Sequence, residues 1–108
     1  MQQQIDYIVV FITAPNAEEA QTIARTLLKR RRAACVNIVP GVHSQFWWKD
    51  KLDSAEECLL VVKTKSSLLP DIVKSVKKLN SNSVPEVIAM PIIGGNPDYL
   101  EWLDNEVQ

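Results

Sequence analysis

The chain has 108 residues, enough for one domain with one core and too few for two independent ones. Apolar residues make up 46% and charged residues 23%, the balance of an ordinary globular chain. Twelve Lys and Arg against thirteen Asp and Glu leave a net charge of −1, which gives no electrostatic case for general binding to nucleic acid or to an acidic membrane.

Met1 to Gln4 is polar and lacks the basic-then-apolar order of a signal peptide. No apolar run approaches the ~20 residues of a membrane span. The expectation is a cytoplasmic protein. In a reducing cytosol Cys35 and Cys58 are expected as buried thiols and not as a disulfide.

Ile5 to Thr13 is apolar almost throughout and rich in β-branched and aromatic residues. That predicts a central strand covered on both faces, since a half-exposed strand would alternate. Asn16 suits a helix N-cap, with Glu19 three residues on, close to a capping box. Ala20, Ile23, Ala24, Leu27 and Leu28 then form one apolar helical stripe. Lys29 to Arg32 places cations at the negative end of that helix.

Ala33 to Val39 predicts a second strand, and Pro40-Gly41 a bend or bulge after it. His43 to Trp48 is aromatic, Lys49-Asp50-Lys51 suits a hairpin tip, and Leu52 to Lys65 returns with Cys58 to Val62 as its buried part. Leu69, Ile72, Val73, Val76 and Leu79 carry a second helix, with Pro70 tolerated in the first turn. Asn80 to Ser83 reads as a loop. Val87 to Ile93 reads as a strand that Pro91 marks as edge-like or bulged. Asn96 and Pro97 open a short last helix whose apolar side is Tyr99, Leu100, Trp102 and Leu103.

The order is β-α-β-β-α-β plus a terminal helix, an α+β, ferredoxin-like sandwich in a single domain over residues 1–108. Phe46, Trp47 and Trp48 are consecutive near the hairpin tip. Neighbours in a strand point to opposite faces, so both faces of this arm carry aromatic bulk. A domain this small cannot easily cover both, and the arm also has open strand edges. Self-association into a closed cyclic oligomer satisfies both needs.

Several segments together resemble the CutA family. They are Thr13-Ala14-Pro15; Ala33 to Ile38 followed by Pro40-Gly41-Val42 and Ser44; Trp48, Lys51-Leu52 and Glu57 leading to Lys63-Thr64; Val84 to Ile88; and Tyr99-Leu100 with Trp102-Leu103. The resemblance covers nearly the whole chain. It implies a ferredoxin-like fold, a tight homotrimer packed through long hairpins, kinship to the PII-like trimeric signalling proteins, and a role in tolerance to copper and other divalent cations. It brings no catalytic activity. The chain departs from the family in two places. Asn80-Ser81-Asn82 stands where many members carry His-Pro-Tyr, and Ile12 where some bacterial members carry a cysteine.

Copper-class ions favour imidazole and thiolate ligands. The chain offers one histidine and two cysteines, with no CxxC, HxxxH or HExxH spacing, so a metal site would have to be assembled between subunits. Glu86, His43 and Cys35 are its candidate ligands for Cu²⁺ or another divalent cation, none tightly bound. Each has a plainer reading: an interface salt bridge or amide cap for Glu86, a hydrogen-bonded surface residue for His43, a buried structural thiol for Cys35. Phe46, Trp47, Trp48, Glu57 and Lys63 are the expected interface residues, with Glu57 or Glu86 as the carboxylate partner of Lys63. No GxSxG, P-loop or GxGxxG is present, which speaks against an enzyme. The functional expectation is a homotrimeric divalent-cation tolerance protein binding copper-class ions weakly at subunit clefts. The alternative is a PII-like regulator or scaffold that takes a small anionic ligand or a protein partner there, an idea resting on fold analogy.

Overall fold

A computed structural model describes residues 6–107. Its elements are β1 (Tyr7–Ala14), α1 (Ala17–Lys29), β2 (Cys35–Trp48), β3 (Lys51–Lys65), a 3-10 turn (Ser66–Leu68), α2 (Leu69–Leu79), β4 (Val87–Pro91) and α3 (Pro97–Glu106). The four strands form one sheet in the order β2-β3-β1-β4, antiparallel at every pairing. This is the ferredoxin-like topology expected from the element order. Ile5, expected to open β1, and the polar start of the chain lie outside the described residues.

Local chemistry sets the element ends. Asn16 caps α1 by accepting from the Glu19 amide at 2.8 Å. Asn96 does the same for α3 from Asp98 at 3.0 Å, and Pro70 sits in the first turn of α2. Lys49 and Asp50 both have positive φ, 51° and 64°, the conformation of a two-residue type I′ hairpin turn. The expected strands 33–39 and 43–48 are one strand, β2, with a bulge between Val39 and Val42. Gly41 takes φ +71° there, a left-handed conformation that disfavours any residue with a Cβ. β4 stops at Pro91 and not at Ile93. It is an edge strand, where a missing amide hydrogen is tolerated.

Ile8, Val10 and Ile12 of β1 and Leu60 and Val62 of β3 pack beneath Ala20, Ile23, Ala24 and Leu27 of α1 and Ile72 and Val76 of α2. The other face of the sheet carries Val9 and Phe11 of β1, Leu59 and Val61 of β3, Val39 of β2, and Ile88 and Met90 of β4, all of them partly or largely exposed. β1 was expected to be covered on both faces. In the single chain the helices cover only one, and its unbroken apolar run reflects an open face that is also apolar. No helix among the described residues is long and apolar enough to cross a membrane.

Beyond the bulge, β2 and β3 pair only with each other, from Val42↔Glu57 to Trp48↔Lys51. This arm stretches the molecule to 47 × 27 × 23 Å. The radius of gyration is 14.7 Å, against roughly 13 Å for a compact chain of this length.

Candidate functional site

The expected ligands do not come together within one chain. Cys35 begins β2 and Glu86 immediately precedes β4, and these are the two opposite edge strands. Three strand spacings alone separate them by about 14 Å. His43 lies on the arm, largely exposed, its Nε2 3.9 Å from Glu56 Oε1. Among the described residues no three His, Cys, Asp or Glu side chains gather closely enough to hold a metal ion.

Cys35 departs from its expected burial. It is half-exposed, whereas Cys58 is buried at 5% exposure. The cause is register: Cys35 opposes Lys63, on the face that the helices leave open. Lys63 also differs from expectation. Its ammonium donates to the Asn37 side-chain oxygen rather than pairing with Glu57 or Glu86. The Cys35 thiol approaches the same oxygen at 3.9 Å. Tyr99 of α3 stands beside this group and stacks at a tilt on Trp102, with ring centroids 5.4 Å apart. Its phenol is pushed above 10.0, first by burial and then by the charge and hydrogen bonding of Cys35. α3 is fixed at this end of the sheet by Lys65 Nζ donating to Asp104 Oδ1 at 2.9 Å and by Arg31 pairing with Glu106 at 2.8 Å.

A concave feature lies at the opposite end, where the arm faces the segment before β4. It is a cavity of about 790 Å³. Phe46, Trp48 and Ser44 of β2 and Asp53, Ala55, Glu56 and Glu57 of β3 form one wall. Thr13, Pro15, Ser81 to Val84 and Glu86 form the other. The bulge and the two-residue turn explain the arm wall. They put Phe46 opposite Asp53, Ser44 opposite Ala55 and Val42 opposite Glu57, so these side chains share a face.

The second wall is tied in place by polar contacts. Buried Asn80 donates to the Thr13 carbonyl at 2.9 Å and accepts from the Asn82 amide at 3.0 Å. The Glu19 carboxylate accepts from both the amide and the hydroxyl of Ser81 at 2.8 Å. The Asn16–Glu19 pairing expected from the sequence forms, with the Asn16 side-chain amide donating to the Glu19 carboxylate at 3.4 Å, and the same carboxylate also anchors the loop. Sequence reasoning placed Glu86 and Glu57 at the site and missed Asp53, Glu56 and Thr13. The hairpin register, counted outward from Lys49-Asp50, would have found Asp53.

The cavity face therefore carries three carboxylates, those of Asp53, Glu57 and Glu86, while Glu56 borders the cavity with its carboxylate turned to His43 on the other face of the arm; among the described residues no lysine, arginine or histidine lines the cavity. Such a lining attracts cations and repels anions.

The family profile of the CutA1 divalent ion tolerance proteins matches residues 8–106. The chain belongs to this family. It is 48% identical over 101 residues to the chloroplastic protein CutA 1 of Oryza sativa, a match covering 94% of this chain and 57% of the rice protein. It is 47% identical over 95 residues to the divalent-cation tolerance protein CutA of Thermus thermophilus, covering 88% of this chain and 92% of that one. The chain thus spans little more than half the length of its plant relatives and nearly all of the bacterial one. The crystal structure of CutA1 from Oryza sativa superimposes with a TM-score of 0.93 at 46% identity, over 96% of this chain and 95% of that one. The family is named for tolerance to divalent ions and not for a reaction. The segments that resemble CutA in sequence fall on both polar groups. Cys35, Asn37, Lys63 and Tyr99 belong to the group beneath α3, and Thr13, Ser44, Trp48, Glu57 and Glu86 to the arm cavity.

Proposed function

We propose that this chain is a cytoplasmic, non-enzymatic, homotrimeric divalent-cation tolerance protein that binds copper-class ions weakly where its subunits meet. The observation that carries the assembly is the open face of the sheet. Ile88 is 54% exposed, Met90 56% and Val39 44%, with Trp47 and Leu52 at 71% on the arm. An apolar surface of this extent, flanked by two sheet edges, calls for a partner. A rotationally closed set of identical chains covers it without leaving a free patch. Three is the number that the CutA resemblance implies. Phe46, Trp47, Trp48, Glu57 and Lys63 are its interface residues.

The metal half of the reading follows from the separation of Glu86, Cys35 and His43. Softer ligands such as Cys35 and His43 reach a carboxylate like Glu86 only from a neighbouring subunit, so binding is weak and depends on assembly. The carboxylates of Asp53, Glu57 and Glu86 on the arm cavity favour a cation there over the small anion of the regulatory alternative. Two measurements test the proposal. Sedimentation equilibrium at micromolar concentration should give the trimer mass, and a stable monomer would overturn the assembly. Calorimetric titration with Cu²⁺ and Zn²⁺ should give saturable heat that falls in Glu86→Ala and His43→Ala. Wild-type protein without saturable heat would overturn the metal site.

A further inference from the structure

We infer that the outer face of the helix layer, formed by α1 and α2, docks on the phosphate backbone of double-stranded nucleic acid without reading its sequence. The net charge of −1 conceals how the fold distributes charge. Residues 16–32 and 66–80, the two helices with their flanking turns, hold eight of the twelve basic residues and three of the thirteen acidic ones. That layer carries +5 and the rest of the chain −6. Two of its three carboxylates are already engaged, Glu19 by Ser81 and Asp71 by Arg32.

The cations form one surface. Arg25 and Lys29 are four residues apart on α1, on the side away from buried Ala20, Ile23, Ala24 and Leu27. Lys74, Lys77 and Lys78 repeat at helical spacing on α2, away from buried Ile72, Ser75 and Val76. Arg30 directly follows α1. All six are exposed, and none makes an ion pair among the described residues. The helices are fastened side by side at both ends, by Arg32 to Asp71 at 3.2 Å and by Glu19 to Ser81 at 2.8 Å, so the two rows of cations are set in place before anything binds. The layer lies across the sheet from the apolar face assigned to assembly. It stays on the outside whether the chain is alone or in the trimer.

The face selects among polyanions by what it lacks. Neither α1 nor α2 contains an aromatic residue, so the unpaired bases of a single strand find nothing to stack on. Leu28, at 39% exposure, is the one large apolar side chain exposed there among the described residues, too little to anchor in a lipid interface. What remains is charge on a preformed surface. The thirteen residues of α1 span about 20 Å, and a duplex laid along that length presents about twelve phosphates, twice the number of unpaired cations. Screening over about 8 Å in physiological salt leaves the local charge, and not the overall −1, as the charge that a bound duplex meets.

The test is fluorescence anisotropy of a short labelled DNA duplex titrated with the intact protein at several salt concentrations. Two duplexes of unrelated sequence should bind alike, with dissociation constants of about 10⁻⁶ to 10⁻⁴ M in physiological salt, and log affinity should fall with log salt at a slope of about −3 to −5. The variant Lys29→Gln/Lys77→Gln, one cation from each helix, should bind roughly tenfold more weakly and flatten the slope by about two. Lys49→Gln/Lys51→Gln removes the same charge from the hairpin tip and should bind as wild type does. Circular dichroism and sedimentation check that fold and assembly are unchanged in both variants. Equal weakening by the hairpin pair would overturn the face, since binding would then follow net charge alone. A duplex that stays unbound even at low salt would overturn it outright. Binding to phosphatidylserine vesicles without binding to the duplex, or tighter binding to a single strand of the same length, would overturn the double helix as the partner.

Discussion

The two faces of the sheet are almost equally apolar and differ in what lies on them. On one face Ile8, Val10, Ile12, Leu60 and Val62 meet the stripes of α1 and α2 and fall to between 0% and 6% exposure. On the other, Val9, Phe11, Leu59 and Val61 follow the same strands one residue out of step, with no helix of this chain above their centre. The difference separates two kinds of stabilisation. Burial on the helix side belongs to the folded chain, and burial on the open side is available only through association. Both draw on the same hydrophobic term of about 25 cal/mol per Å².

Placing a charge at the centre of the open face separates the two most strongly. Phe11→Asp in the central strand should abolish assembly, because closing the interface would bury an unpaired carboxylate at a cost on the order of 3–5 kcal/mol per subunit. Sedimentation should then report monomers that keep the helical signal. If Phe11→Asp sediments as wild type, this face is not the contact. Leu60→Ala is the matching change on the covered face. It removes a fully buried side chain and should cost about 2–5 kcal/mol, read from the denaturant midpoint, while leaving the sedimenting mass of the native protein unchanged.

These two residues also mark where the sequence is legible. The elements could be read because their ends are written in local chemistry: Asn16 and Asn96 as caps, Pro40-Gly41 as the bulge, Lys49-Asp50 as the turn. An unbroken apolar strand such as β1 does not say which face meets helices and which meets another chain, since both require the same residues. The polar partners were harder still. Lys63 meets Asn37, and Cys35 lies opposite Lys63, only because the β2–β3 register below the bulge is set by how the chain bends at Gly41. Glu19 and Ser81 are 62 residues apart, so nothing local announces their contact. The cavity was visible in part. Glu57 and Glu86 stand in motifs that resemble CutA, while Asp53 and Thr13 acquire meaning only once the arm is seen to face the loop.

A smaller effect is expected where the covered layer meets that loop. Asn80 is 7% exposed and holds the Thr13 carbonyl with one side-chain atom and the Asn82 amide with the other. Asn80→Ala leaves those groups without partners and should cost about 1–3 kcal/mol. Because Thr13 and Asn82 both line the cavity, the variant should also lower whatever cation affinity the cavity has. A loss of stability with unchanged cation affinity would mean that the loop keeps its position without this tie.

The smallest effect belongs to the one end of the open face that α3 already occupies. Tyr99 is raised above its ordinary 10.0 by burial first and by Cys35 second. The sign follows from linkage. Below pH 10.0 the phenol is protonated whether the chain is folded or unfolded, and its contribution to stability is fully present. As pH rises past that value the unfolded chain ionises first, so stability falls until the folded phenol also ionises. The loss is modest because the ring keeps 40% exposure and solvent screens the charge. Tyr99→Phe should flatten this alkaline limb, seen as unfolding midpoints that no longer diverge from wild type on the acid side of pH 10.0 but exceed it on the alkaline side. Cys35→Ala should bring the phenol's absorbance titration partway down and not to 10.0, since burial is the larger cause. If the titration does not move at all, burial alone holds the phenol up. Cys35 and Tyr99 are then neighbours without coupling, and α3 closes its end of the open face by packing rather than through this polar contact.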